Sequence, residues 1–368
     1  MRAPVALIAG LHHIARTAAV DRLLRRHPGA VAIHHHVRPT GEGRIERVVR
    51  DASGVLGRTE VRPAHGCVTR TVREDLLSEL PRHSPTASLL IADLWDAAEP
   101  RPVAEALAGQ ERLRLACVHT ALDAEHMPVD ICRGDRLSET GRAAPGDRRF
   151  LAGVLARQIE YATSLSLHGG DAEDAELSAT VLAHLAPHTP IVRCPGLAAA
   201  ALCVHELGER VDPATAQLPA EAQSGEITTV VWHRLRPLHP VRLFDVMDEL
   251  ATSTVRSRGR FWLANRPHRM LAWDAVAGAV SVEDAGPWLA ALPEAMWELT
   301  APARRAVAAL DWNPIVGDRV QHLVFTGPGL DRDRIVSLLD SCLIDQDDAL
   351  PGAAEWAGHD DPFAPYWR

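Results

Sequence analysis

Near its amino terminus the chain reads Val5-Ala6-Leu7-Ile8-Ala9-Gly10-Leu11-His12-His13-Ile14-Ala15-Arg16-Thr17. The first five residues form a short apolar run typical of a buried strand, and a helical pattern follows from about Thr17 to Arg26. Further strands are predicted at 30–37, 88–93, 114–119, 164–167 and 190–194, with helices at 71–80, 149–163 and 176–186 between them. The first of these helices is predicted to open on a capping box, Thr71 to Glu74. Strands that alternate with helices predict a mostly parallel sheet with its ligands at the carboxyl ends of the strands.

The second half of the chain has a different pattern. Strands are predicted at 226–234, 260–264, 269–274, 277–282 and 319–326, with helices at 240–252 and 332–344. This layout predicts a smaller α+β domain. We therefore divide the chain into an α/β domain at 1–205, a linker at 206–225 that is marked by Gly and Pro, an α+β domain at 226–346 and an acidic tail at 347–368.

Composition excludes several kinds of chemistry. The 368 residues include 39 basic side chains, and all of them are arginine. A Schiff-base lysine and the lysine of a phosphate loop are therefore both absent. The net charge of -9 argues against general DNA binding. Six scattered cysteines without a Cys-x-x-Cys pair are typical of a reduced, cytoplasmic protein, and no apolar run is long enough to span a membrane.

The segment from Gly10 to Thr17 partly matches the phosphate-loop signature. That signature needs two glycines, a lysine for the outer phosphates and a Ser or Thr for magnesium. Gly10 and Thr17 stand at the right spacing, whereas Ala15 replaces the second glycine and Arg16 replaces the lysine. By itself the match is equally typical of an ordinary turn from a strand into a helix.

Six further segments carry a resemblance along the chain: His65-Gly66-Cys67-Val68-Thr69-Arg70-Thr71-Val72-Arg73-Glu74-Asp75-Leu76-Leu77, Gln158–Ala162, Arg236–Leu243, Arg256–Pro267, Gly317–Arg319 and Asp361–Phe363. In this order they resemble the CobW family of phosphate-loop GTPases, a group of metal chaperones linked to cobalt and zinc. The run from Arg256 to Pro267 is the most specific of them. The resemblance implies a phosphate-loop NTPase-like sheet followed by the family's carboxyl-terminal α+β domain.

The chain departs from the family at four sites. Ala15-Arg16-Thr17 replaces Gly-Lys-Thr, and His168-Gly169-Gly170-Asp171 replaces the guanine motif Asn-Lys-x-Asp. Asp93 ends a strand that carries Glu in the family, and only Cys67 remains of a Cys-x-Cys-Cys metal motif. Because arginine is planar and bulky, it cannot replace the compact lysine ammonium inside the loop. Gly10, Arg16, Thr17 and Asp171 remain the predicted nucleotide contacts, with GTP or GDP bound weakly and hydrolysed little.

Within the family, the chain resembles actinobacterial proteins that recruit a ribosome hibernation factor under zinc starvation. Met1-Arg2-Ala3-Pro4 and His65-Gly66-Cys67-Val68 carry this resemblance. Arg70 stands where those proteins usually have a second cysteine. His65 and Cys67 are the predicted metal ligands, fewer than the four of a closed zinc site.

The run His34-His35-His36 is a second metal candidate. In a strand, His34 and His36 would share one face, where they could bind zinc together with Cys67 or His65. The alternative is that the run only contributes polarity at the solvated end of the strand.

Two functions follow from the sequence. The first is a non-catalytic adaptor in zinc homeostasis that binds the ribosome or a hibernation factor. The second is a GTP-dependent zinc or cobalt metallochaperone with residual GTPase activity. The eroded motifs favour the adaptor.

Overall fold

A computed structural model describes residues 2–37, 45–62, 68–141, 147–213, 218–344, 358 and 360–367. The chain divides into two compact units, Met1–Gly208 and Glu209–Arg368. The described residues contain no helix long and apolar enough to cross a membrane.

The first unit is a seven-stranded, mostly parallel sheet with helices packed against it. Its strands are β1 (Ala3–Ala9), β2 (Ala30–Val37), β3 (Ile45–Asp51), β4 (Gly54–Val61), β5 (Leu89–Asp93), β6 (Leu113–Asp123) and β7 (Ser164–His168). Its helices are α1 (His13–Arg26), α2 (Val68–His83), α3 (Pro100–Ala108), α4 (Met127–Asp130), α5 (Leu151–Glu160) and α6 (Ala172–Leu185). Helix α7 (Val204–Val211) contains the boundary between the units.

The order of the strands brings the loops of interest to one edge. The sheet runs β4-β3-β2-β5-β1-β6-β7, and β2, β5, β1, β6 and β7 are parallel. The chain therefore leaves these five strands at the same edge of the sheet. Strand β1 is central, and all of its residues except Pro4 are buried, which explains its continuous apolar sequence.

The second unit is an antiparallel sheet covered by helices. The strands are β8 (Ala222–Ser224), β9 (Ile227–Arg234), β10 (Arg256–Phe261), β11 (Arg269–Val276), β12 (Ala279–Pro287) and β13 (Gln321–Pro328), in the order β12-β11-β10-β13-β9-β8. The helices are α8 (Pro240–Thr252), α9 (Pro302–Asp311) and α10 (Arg332–Ser341). Trp232, Phe261, Trp273 and Phe325 lie in one core with side chains of α8 and α10.

The predicted fold class is confirmed: a mostly parallel α/β sheet is followed by an α+β unit. Several local predictions are wrong. Helix α1 begins at His13 rather than near Thr17, and Thr71 lies inside α2 rather than at a cap. The segment at 190–194 forms only an isolated bridge, Leu165 to Ile191, and the segment interpreted as a linker contains β8 and most of α7. Most of the acidic tail lies outside the described residues.

Candidate functional site

The carboxyl edge of the parallel sheet encloses a cavity of about 620 Å³. Its lining comes from the end of β2, the start of α1, strands β3 and β4, and the end of β5 together with the loop that follows it. The polar residues that line it are His13, Arg16, Thr17, His34, His35, His36, Glu46, Arg50, Arg58, Asp93 and Asp96. The structure thus brings two of the four predicted nucleotide contacts, Arg16 and Thr17, together with the histidine run.

The segment that resembles a phosphate loop is largely helical. Because α1 begins at His13, only Gly10, Leu11 and His12 separate it from β1. The main-chain N–H of Arg16 donates to the carbonyl oxygen of His12 at 3.0 Å, as in an ordinary first helical turn. That N–H is therefore already paired within the helix and does not face a ligand.

The Arg16 side chain lies inside the protein and is paired there. Its Nε donates to Oδ1 of Asp93 at 2.8 Å, and its Nη1 donates to Oδ1 of Asp96 at 2.7 Å and to the carbonyl oxygen of Gly10 at 2.6 Å. Only 3% of the side chain is exposed. Burial lowers the pKa of Arg16, but the charges of Asp93 and Asp96 outweigh it and raise that pKa overall. The guanidinium is therefore held by two carboxylates.

Asp93 joins Arg16 to the histidine run. Its second oxygen lies 3.4 Å from Nδ1 of His34, and its main-chain oxygen lies 3.1 Å from the same nitrogen. Burial raises the pKa of Asp93, but His34 and Arg16 together hold it well below its ordinary value. Asp93 is thus a buried, ionised carboxylate between two basic groups.

His12 is fixed on the other side of Gly10. The main-chain N–H of Asp123 donates to its Nδ1 at 3.2 Å, and its Nε2 lies 3.1 Å from Oδ2 of Asp130. Since Nδ1 accepts, the ring proton is on Nε2 and is donated to Asp130. His12 therefore ties the end of β1 to the end of β6 and to α4.

The remaining predicted nucleotide contacts have ordinary structural surroundings. Thr17 is exposed on α1. Asp171 is the N-cap of α6, and its Oδ1 accepts from the main-chain N–H groups of Glu173 at 2.9 Å and Asp174 at 3.0 Å. Asp123, at the end of β6, likewise accepts from the N–H groups of Glu125 and His126 in the turn before α4. These contacts explain the two aspartates without a nucleotide base.

A row of polar side chains crosses from β6 to β7. His119 is fully buried, and its ring nitrogens each lie 2.9 Å from a hydroxyl, Ser164 on one side and Ser166 on the other. Ser166 also lies 2.9 Å from Nε2 of His168. Burial, reinforced by the charge of His168, lowers the pKa of His119 to about 3. His119 is therefore neutral in the folded protein at neutral pH.

This buried histidine predicts a loss of stability in acid. The pKa of His119 is near 6.5 in the unfolded chain and about 3 in the folded protein. Above pH 6.5 neither state binds the proton, but as the pH falls from 6.5 towards 3 only the unfolded chain does, so the folded protein progressively loses stability. When the pH falls from 7 to 5, we expect the free energy of unfolding to drop by about 2 kcal/mol more in the wild type than in His119→Gln. Urea unfolding at both pH values measures this, with the exposed His188→Gln as control. Equal pH dependence in all three proteins would contradict the assignment.

The predicted metal ligands separate into those that the structure describes and those that it does not. His65 and Cys67 lie outside the described residues. His35 is buried and lies 2.6 Å from Oδ2 of Asp75, so it has a structural partner. The side chains of His34 and His36 lie on the other face of the strand, at the cavity. Within the described part of the chain, Asp123, Glu125 and His126 also bring three metal-type ligand atoms within 4.8 Å of one another.

Sequence reasoning missed Asp96 and Glu46, and it did not foresee that Asp93 pairs with Arg16. The available signal was the arginine at the lysine position, since a buried arginine needs carboxylate partners. Asp93 ends a buried strand that was predicted correctly, and Asp96 lies in the loop that follows it. Their proximity to Arg16, 77 and 80 residues away, depends on the order of strands in the sheet.

Comparison with known proteins agrees with this architecture. Residues 227–343 match the family model described as the cobalamin synthesis protein cobW C-terminal domain. Over 388 aligned residues the chain is 32% identical to a Mycobacterium tuberculosis protein named zinc chaperone Rv0106, with 99% of this chain and 93% of that protein covered. The chain belongs to the CobW family.

More distant relatives have related names. The zinc-regulated GTPase metalloprotein activator 1 of Dictyostelium discoideum is 23% identical over 337 residues, which cover 82% of this chain and 70% of that protein. Among solved structures, the Zn(II)-bound YjiA GTPase from E. coli aligns over 93% of this chain and 99% of its own, with 16% identity and a TM-score of 0.39.

Proposed function

We propose that this CobW-family chain handles zinc as an adaptor that does not turn over GTP. The observation that carries the proposal is the pairing of Arg16 with Asp93, Asp96 and the carbonyl oxygen of Gly10. A phosphate loop needs a cation and main-chain N–H groups that are free to contact phosphate oxygens. Here the cation is paired with two carboxylates.

The surrounding charges support the same conclusion. A phosphate bound beside Gly10 would lie near Asp93 and Asp96, and their negative charges oppose it. The guanidinium and the helical start of α1 occupy the segment that would form the loop. The residues present therefore do not fit a magnesium–GTP complex, and we assign no step of the function to one.

The zinc part of the proposal draws on the relatives. The name of the M. tuberculosis relative, zinc chaperone, supports zinc as the metal. The resemblance to the actinobacterial subgroup suggests the ribosome or a ribosome hibernation factor as the partner. In that role the chain would connect zinc status to its partner through protein surfaces, without a nucleotide cycle.

The test is to measure nucleotide and zinc binding on the same purified chain. We expect no saturable binding of GTP or GDP by calorimetry at millimolar nucleotide, no phosphate release above a protein-free blank, and bound zinc. Arg16→Lys is expected to leave this result unchanged, because α1 still begins at His13. GTP turnover that depends on magnesium would contradict the proposal.

The GTP-dependent metallochaperone is the alternative, and the name of the Dictyostelium relative favours it. Turnover stimulated by zinc would establish that function instead. The partner is tested separately by sedimentation with ribosomes from zinc-starved cells. Association without added nucleotide supports the adaptor, whereas association that requires GTP supports the alternative.

A further inference from the structure

Strand β2 presents two histidines on one face at the cavity. The rings of His34 and His36 lie 6.5 Å apart between centroids, whereas His35 points to the opposite face and is buried against Asp75. His34 is 23% exposed in its side chain, and His36 is exposed. Both rings can therefore be reached from solvent, and the interleaved His35 fixes the strand between them.

The hydrogen bond of His34 leaves its other nitrogen available. Nδ1 lies 3.1 Å from the main-chain oxygen of Asp93, which can only accept, so Nδ1 carries the proton. The lone pair is then on Nε2. Histidines that bind metals commonly have this arrangement, in which the second ring nitrogen donates to a carbonyl or carboxylate that fixes the tautomer and the ring orientation.

A carboxylate stands opposite the second histidine. Glu46 of β3 pairs with His36 in the antiparallel register, and directly opposite residues share a face with their Cβ atoms about 4.5–5.5 Å apart. Glu46 lines the same cavity, and one of its oxygens accepts from Nη1 of Arg58 at 2.9 Å. This ion pair is exposed, so it competes only weakly for the carboxylate.

We propose that His34, His36 and Glu46 form a divalent-metal site of two imidazoles and one carboxylate, suited to zinc. Zinc takes two histidines and one carboxylate where a fourth position stays open to water or another ligand. The three ligand groups do not converge in the structure, so metal binding requires the exposed His36 ring to rotate towards His34 and Glu46. The site lies at the edge where Arg16 is paired, and the inference rests on the proposed zinc-handling function because it locates the metal.

The experiment uses the full chain with zinc alone as probe. Affinity is measured by competition with a chromophoric chelator for the wild type, His34→Ala, His36→Ala and Glu46→Gln. Each substitution is expected to lower the affinity for zinc by at least about 10–100-fold, since even residues that only contact a ligand have effects of that size. Arg58→Gln frees the carboxylate of Glu46 and is expected to raise the affinity for zinc by up to about fivefold. His188→Ala, an exposed histidine elsewhere in the same unit, is the control and should bind as the wild type does.

Cobalt distinguishes this site from one built on Cys67. Cobalt bound by nitrogen and oxygen ligands gives visible d–d bands without the near-ultraviolet thiolate charge-transfer band that a Cys67 ligand would add. We expect the spectrum without that band, and we expect Cys67→Ser to retain zinc. Circular dichroism of each variant shows whether it is folded. Arg58→Gln tests the site by an expected gain in zinc affinity, which an unfolded variant would not show.

The outcomes separate the two proposals. Zinc that is lost in Cys67→Ser but retained in His34→Ala and Glu46→Gln would overturn this site and leave zinc handling intact. Equal weakening by His188→Ala would indicate adventitious surface binding and would also overturn the site. A chain that binds no zinc at all would contradict both this site and the zinc part of the proposed function.

Discussion

Replacement of Arg16 by methionine is expected to lower the free energy of unfolding by about 3–5 kcal/mol. Asp93 is 5% exposed and pairs with Nε of Arg16. Without the guanidinium, a buried carboxylate retains only His34, and Asp96 adds a second negative charge nearby. Removing one partner of a buried ion pair leaves an uncompensated charge, which lowers stability more than removing both partners does.

A double-mutant cycle tests this prediction. Arg16→Met, Asp93→Asn and the combined variant are unfolded in urea and compared with the wild type. We expect the combined variant to recover part of the stability lost in Arg16→Met, because the isolated charge is gone. Arg70→Met removes an exposed pair with Glu74 and should change stability by only about 0.5 kcal/mol. If Arg16→Met is as mild as Arg70→Met, the buried pairing is wrong.

Gly10→Ala is expected to destabilise the first unit by about 2–5 kcal/mol. Gly10 has φ of +147°, a backbone conformation that residues with a side chain rarely adopt. A Cβ atom there would lie 2.2 Å from the carbonyl oxygen of Ala121, which belongs to the backbone of β6 and cannot rotate away. Backbone strain and steric overlap with the Ala121 carbonyl oxygen therefore both lower the stability of Gly10→Ala.

Thermal and urea unfolding measure the effect, and Gly57→Ala is the matched control. A Cβ at Gly57 would meet nothing within 4 Å, so we expect little change there. If Gly10→Ala is as stable as Gly57→Ala, the close approach to β6 does not constrain this position. The expected result would explain Gly10 by the packing of β1 on β6 rather than by a phosphate.

Buried elements were the easiest to predict. The prediction for α8 has the observed bounds, 240–252, because Pro240 can begin a helix and the apolar positions repeat at helical spacing. His239 is the N-cap of this helix, and its Nδ1 accepts from the N–H of Arg242 at 3.4 Å. The continuous apolar runs of β1 and β5 were recognised because buried strands have such sequences.

Elements at or next to the edges of the first sheet were missed, or were predicted where only a bridge forms. Strand β4 has no buried residue, so its sequence carries no two-residue apolar pattern. Strand β3 buries only Ile45 and Val49, four residues apart, which is a spacing typical of a helix. The segment at 190–194 begins with Pro190 and is followed by Pro195, and it forms only one bridge, through Ile191.

By itself, the sequence determined the fold class, the family and the absence of lysine from a segment that resembles a phosphate loop. Periodicity, composition and residue order are local properties, so they can be read along the chain. The tertiary structure decided what Arg16 does, because its partners Asp93 and Asp96 are brought to it only by the pairing of β5 with β1. It likewise placed Glu46 opposite His36 through the register of β2 and β3. Contacts between distant residues depend on strand order and register, which no local pattern contains.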